Sequence, residues 1–335
     1  MTYAGVSGWN RLQTLFPCFV AALLALALLR AASANEDVKR LAFVSPVAAS
    51  TVLSGEAEFW ARLRERGWVE GRNITYAKYF ADGDRARLPA LMQQALRGGP
   101  HVIVTPGTPA ALEAKRATTA VPIVGLMGDP IGAGLVASLS RPGGNLTGIS
   151  VQNTEEVPAK WIELLRELRP GISRFAVAVH PEHPLADAVT AQLGRAAAQV
   201  GATVIRFDAY RPEDFGRIVE QARRRAQALI VQPSDLAIHS RSLIAEAAAK
   251  HRMPVLYALS DFVDAGGLIS YGSDLGALWR RLGDYADKIL KGANPADLPV
   301  EQPVTFDLVV NLKAAKAIGI SVPQSLLQRA DRVVE

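Results

Sequence analysis

From Arg40 onward the chain alternates short apolar runs rich in β-branched residues with longer stretches whose apolar residues recur at helical spacing. The short runs fall at 41–44, 74–76, 102–104, 122–124, 146–149, 175–179, 203–207, 228–231, 254–257 and 267–271. Helical spacing occupies 56–66, 85–96, 158–168, 185–200, 236–250, 275–290 and 308–318. A run that is apolar at consecutive positions has to be covered on both faces, and strands separated by helix-length connections pair in parallel. The pattern predicts an α/β fold of parallel sheets flanked by helices. Ten strands exceed what one mononucleotide-type sheet holds, so two Rossmann-like lobes are expected, and 335 residues suit two domains.

The stretch Arg141-Pro142-Gly143-Gly144-Asn145 precedes a first expected crossing between lobes at 148–153, because glycine accepts backbone angles that other residues avoid. A second crossing is expected at 271–274 and a third around 299–305. Neither lobe is then contiguous: residues 36–149 with about 273–297 make the first, and residues 150–272 with part of 298–335 the second. Ahead of both, Arg11, an apolar run ending at Arg30 and the small residues Ala32-Ser33-Ala34 read as a secretory signal over 1–34, cleaved after about Ala34. The uninterrupted apolar run is shorter than the ~20 residues a spanning helix needs. Cys18 lies inside that run and not at the cleavage point, which argues against a lipid anchor. The expected compartment is the periplasm.

Composition removes several kinds of chemistry. Cys18 is the only cysteine, so a disulfide framework, a Cys-cluster metal site and thiol catalysis are excluded. A net charge of +5 without a basic face gives no nucleic-acid partner. Arg62, Arg64, Arg66, Arg280 and Arg281 lie on helices beside apolar residues and read as solvated faces. Gly132-Ala133-Gly134-Leu135-Val136-Ala137 matches a dinucleotide-binding pattern but follows the fourth strand, behind Gly128-Asp129-Pro130, so no tight strand-to-helix turn brings it to a pyrophosphate. There is no G-x-x-x-x-G-K-[ST] phosphate loop and no G-x-S-x-G nucleophile elbow. His180-Pro181-Glu182-His183 lacks a fourth metal ligand and reads as a polar loop at the lip of a cleft. No catalytic residue, cofactor or metal is expected.

What remains is a set of small and polar residues at the carboxyl ends of strands, where open α/β sheets bind ligands. Ser45 follows the first strand, and Thr105 and Thr108 follow the third, with Thr108 placed to cap a helix and Pro109 to begin it. Such a helix start attracts a carboxylate. Asp129, after the fourth strand, is a candidate partner for an ammonium group on the same molecule, which makes an amino acid the simplest ligand. The second series supplies Ser234, Asp235 and Tyr257 as the facing wall, with Tyr271 on a crossing strand; both tyrosines are candidates to stack on a flat side chain.

Linked motifs carry a family resemblance. Among them are Arg40-Leu41-Ala42-Phe43-Val44, Arg66-Gly67-Trp68-Val69-Glu70-Gly71-Arg72-Asn73-Ile74, Gly128-Asp129-Pro130-Ile131-Gly132 and Arg141-Pro142-Gly143-Gly144-Asn145-Leu146-Thr147-Gly148. Gly266-Gly267-Leu268-Ile269-Ser270-Tyr271-Gly272 and Asn311-Leu312-Lys313-Ala314-Ala315 extend them toward the end of the chain. From about Lys39 onward the sequence resembles the ABC-transporter substrate-binding protein family that includes the tryptophan/tyrosine-binding TrpX type. The resemblance implies a type I periplasmic-binding-protein fold, two lobes joined by a three-stranded hinge that close over one solute, and delivery to an inner-membrane permease driven by a separate ATPase subunit. It places the cleft loops at Ser45, Thr105 to Thr108, Asp129, the crossing that ends at Gln152, Ser234-Asp235 and Tyr257, with amino acids, aromatic ones in particular, as solutes. The chain departs from it at His180-Pro181-Glu182-His183, where family members more often carry asparagine-containing loops.

The sequence is thus read as a non-enzymatic, monomeric receptor for a small solute, feeding an ABC permease. The alternative from another class is a periplasmic sensing module that hands its ligand to a membrane signalling receptor.

Overall fold

The computed structural model describes residues 38–50, 55–151, 156–303 and 305–335; the expected signal segment and Gln152 lie outside the described residues. The first five apolar runs become β1 (Lys39–Ser45), β2 (Ile74–Phe80), β3 (Val102–Pro106), β4 (Ile123–Met127) and β5 (Leu146–Ser150). They form one parallel sheet in the order β2-β1-β3-β4-β5. Every residue of β3, β4 and β5 is buried, as a strand covered on both faces must be.

The second series becomes β6 (Arg174–Val179), β7 (Thr203–Asp208), β8 (Ala228–Val231), β9 (Val255–Tyr257) and β10 (Ile269–Ser273). Two further strands join them, β11 (Phe306–Asn311) and β12 (Arg332–Val334), giving the order β12-β11-β10-β9-β8-β6-β7. The sheet is parallel except where β11 runs against β10. The molecule is therefore an α/β protein of two parallel-sheet lobes, each with its own layers of buried side chains.

Three helices differ from the sequence reading, the first of them 85–96, which opens as the tighter turn Arg85–Arg87 before the helix Leu88–Arg97. The stretch 308–318 is not one helix: Leu308, Val309 and Val310 sit in β11, and the helix Leu312–Ile318 starts only after Asn311, whose side-chain oxygen accepts the Ala314 N–H at 2.9 Å. β-Branched residues flanked by a capping Asn pair more favourably with β10 than they extend a helix. The stretch 236–250 breaks at Ser240 into Asp235–His239 and Arg241–Lys250.

The chain passes between the lobes three times, and the crossings touch one another. The first leaves β5 for the helix Glu156–Leu168. The second leaves β10 for Leu275–Leu290, and the third runs from Glu301 to β11. The Ser150 N–H donates to the Glu301 carbonyl at 2.8 Å, and the Ser273 hydroxyl donates to the Val151 carbonyl at 2.8 Å. Asp274 donates its N–H to the Thr305 carbonyl at 3.3 Å.

After the second crossing the chain returns to the first sheet. The helix Leu275–Leu290 lays Trp279, Leu282 and Tyr285 against Phe43 and Phe59. Of the arginines read as solvated faces, Arg64 is exposed, while the other four are engaged here. Arg62 and Arg66 donate to Asp284 at 2.8 and 2.5 Å, and Arg280 pairs with Glu58 and Glu65, stitching Leu275–Leu290 to the helix Glu56–Glu65. Arg281 adds a two-pronged pair to Glu301, at 2.5 Å for each prong.

Candidate functional site

The carboxyl ends of both sheets face each other across a cavity of about 150 Å³, the size of an engineered apolar cavity that takes up benzene. From the first lobe come Ser45 and Pro46 at the end of β1, Pro106, Gly107 and Thr108 after β3, Gly128 after β4, and Trp279 from the returning helix. From the second come Val157, Trp161, His183, Leu185, Ser234, Asp235 and Phe306.

The loop after β3 shows why these residues converge. Gly107 has φ of +116°, a backbone angle that favours glycine, and a Cβ there would lie 3.2 Å from the Pro46 ring. Gly107, and not Thr108, occupies the cap position, and Thr108 begins the helix Thr108–Ala117. The Thr108 hydroxyl accepts the Gly128 N–H at 2.9 Å, which leaves its own proton to donate. The Ser150 hydroxyl donates to the Gly128 carbonyl at 2.9 Å, so the wall of the first lobe is tied to the first crossing. A Cβ on Gly128 would fall 2.2 Å from a methyl of Leu185, so the two lobes meet there.

On the second lobe, Ser234 caps the helix Asp235–His239 by accepting the Ala237 N–H at 3.2 Å. Asp235 is 5% exposed and lines the cavity, yet neither of its carboxylate oxygens has a hydrogen-bond partner. The nearest cation is Arg85 from the first lobe, its Nε 3.8 Å from Oδ2. Burial pushes the Asp235 carboxyl up from the usual range, against the weaker pull of Arg85, His180 and the backbone N–H groups of Asp235 and Leu236 at the helix start. A buried carboxylate with empty acceptor positions is an unmet demand for donors.

His183 lies beside it. Burial, reinforced by the charges of Arg85 and His180, lowers its pKa to about 3, and its Nδ1 accepts the Leu185 N–H at 3.2 Å, so the ring is neutral. The indole of Trp161, 2% exposed, donates to the Tyr271 carbonyl at 2.7 Å. The Trp279 indole N–H, on a side chain 1% exposed, has no partner.

Of the residues singled out from sequence, Ser45, Thr108, Ser234 and Asp235 line the cavity. Four others lie away from its lining. Thr105 is fully buried with its hydroxyl unpartnered. Asp129 turns one oxygen onto the N–H groups of Ile131 and Gly132, at 3.2 and 2.9 Å, closing a turn. Tyr257 is buried in the core with its ring stacked on Phe262 at 4.8 Å. Tyr271 stacks on Phe306 at 5.8 Å and so backs the cavity wall through a side chain that lines it. Trp161, Trp279 and Phe306 were not singled out from the sequence; on amphipathic segments they look the same as core aromatics.

Among the described residues no helix is long and apolar enough to cross a membrane. The chain is similar, over 78% of its length and 75% of the relative's, to a tyrosine-binding protein of Clostridioides difficile, at 24% identity. It superposes on a conserved domain protein of Vibrio cholerae with a TM-score of 0.84 and 26% identity, over 89% of this chain and 100% of the other. It superposes also on a Streptococcus pneumonia ABC domain in complex with L-Trp, with a TM-score of 0.82 and 25% identity, over 88% of this chain and 99% of that one. The match to the family described as ABC transporter substrate binding protein runs from residue 40 to residue 334, and with the two facing lobes it has one conclusion: the chain belongs to that family and is a non-enzymatic, solute-binding component of an ABC transporter.

Proposed function

We propose that the protein is the periplasmic receptor of an ABC importer, that its solute is an amino acid with an aromatic side chain, and that the two lobes, residues 36–149 with about 273–297 and residues 150–272 with part of 298–335, close on it before it passes to an inner-membrane permease. The observation that carries this reading is Asp235, a carboxylate buried in the cavity wall with both oxygens unpartnered. An ammonium group supplies the donors that it lacks. In this reading Asp235, and not Asp129, meets the ammonium, because Asp129 lies outside the cavity lining and turns one oxygen onto its own backbone. The solute's carboxylate lies toward Ser45, the Thr108 hydroxyl and the start of the helix Thr108–Ala117, where helix amides favour negative charge. Trp161, Leu185 and Phe306 leave an apolar space for a ring. The tyrosine-binding relative and the L-Trp complex support the same class of solute.

The test is a thermal-shift screen of the twenty amino acids and the deaminated analogues of tyrosine and tryptophan. A solute present at 100 times its Kd adds about 2.7 kcal/mol to stability. L-Tyrosine or L-tryptophan is expected to raise the melting temperature well above the effect of its deaminated analogue, and Asp235→Asn is expected to erase that difference. A melting temperature unmoved by every amino acid would overturn the reading.

A further inference from the structure

The wall that carries Asp235 is reached from the opposite lobe by one long side chain. Arg85 opens the short turn Arg85–Arg87 beyond β2, a turn started by Asp84, whose carboxylate accepts the Ala86 N–H at 3.0 Å. Asp84 and Ala86 are exposed, but the Arg85 side chain is only 20% exposed. Its partners lie on the second lobe. Nη1 donates to the Glu182 carbonyl at 2.5 Å, in the loop after β6, and Nε stands 3.8 Å from Asp235. The neighbouring backbone comes across as well, with the Cβ position of Gly83 3.8 Å from the His239 ring.

We propose that Arg85 is the affinity-determining latch of the cleft, a residue outside the cavity lining that holds the lobes shut and sets how long the solute stays. Any motion that parts the lobes breaks both of its contacts, so these contacts belong to the closed form alone. An interaction made in only one of two states shifts the population toward that state by its full strength. Arg85 also acts on Asp235. Closing the cleft buries that carboxylate, and a buried charge without a counterion is strongly disfavoured. The guanidinium arrives with closure and offsets the charge, its Nε 3.8 Å from Oδ2 and too far to use up a hydrogen-bonding position there. The latch rests on the reading that the solute binds between the lobes.

The experiment is stopped-flow measurement of L-tyrosine and L-tryptophan binding to the wild type and Arg85→Ala, together with the melting temperature of each protein without ligand. Arg85→Ala is expected to speed dissociation about tenfold while association changes about twofold or less, as for a charged contact made after encounter. The ligand-free melting temperature is expected to change little, because parting the lobes leaves each lobe's core intact, and Arg85→Lys to recover part of the slow dissociation. Equal dissociation rates in wild type and Arg85→Ala would overturn the proposal, as would a loss explained by a lowered melting temperature. If the wild type binds neither amino acid, the solute reading fails on its own. Arg85 is then decided by spin labels at Arg116→Cys and Arg224→Cys in a Cys18→Ser background. A longer, broader interlobe distance in Arg85→Ala supports the latch, and identical distributions refute it.

Discussion

His183 and Asp235 share a wall of the cavity, and burial opposes the charged form of each. For His183 the folded pKa is about 3 against 6.5 for an unperturbed histidine. Between those values the unfolded chain binds a proton that the folded chain refuses, so stability falls as the pH drops below 6.5, by roughly 1.4 kcal/mol per pH unit. Asp235 has the opposite sign: its raised carboxyl takes up a proton more readily when folded, which offsets part of that loss as the solution becomes more acid. Urea titrations of the wild type and His183→Gln at pH 7 and pH 5 check this. The variant is expected to lose roughly 1–2 kcal/mol less on acidification; equal losses would mean that His183 does not titrate as a buried neutral ring. At this scale the sequence was readable where a rule ties position in the chain to place in the fold. Ser45, Thr108, Ser234 and Asp235 follow strand ends, and strand ends line the cleft. Arg85 was not readable, because its partner Glu182 is 97 residues away and no local pattern encodes that meeting.

The helix Leu275–Leu290 shows what spacing records and what it omits. Its limits follow from the Asp274 cap, which accepts the Ala277 N–H at 3.0 Å, and from an apolar stripe of helical period. Its destination does not follow, because periodicity marks the buried face and is silent about what buries it. Here that face meets Glu56–Glu65, and Gly283 sits at a close approach: a Cβ would be 2.9 Å from the Arg62 Cβ and 3.2 Å from the Phe59 carbonyl. Gly283→Leu would drive the two helices apart. It is expected to destabilise the protein by about 1–3 kcal/mol, measured by urea denaturation, whereas Gly194→Leu, in the helix Ala186–Gln199 with nothing within 4 Å of its Cβ position, serves as the control. The same silence explains 308–318, where an apolar run fits strand and helix alike until β10 is there to pair with it.

For the whole molecule, the count of apolar runs favoured two sheets, since one mononucleotide-type sheet does not normally hold so many strands. The tail was harder, because β11 and β12 complete the second sheet from the far end of the chain. The three crossings make each lobe depend on distant sequence. Phe43 and Phe59 of the first lobe are sealed by Trp279, Leu282 and Tyr285, which arrive after the whole second sheet but its last two strands. A fragment of residues 38–150 therefore lacks the cover for one face of its sheet. It is expected to bind a hydrophobic dye and to show no cooperative thermal transition, and a fragment that melts cooperatively would contradict this account of the core. Closure has its own small requirement. Gly128 meets Leu185 with no side chain between them, and this is one of the places where the halves of the molecule press together. A bulky substituent at 128 would be a wedge in a doorway: each half would keep its shape, and the door would stand ajar.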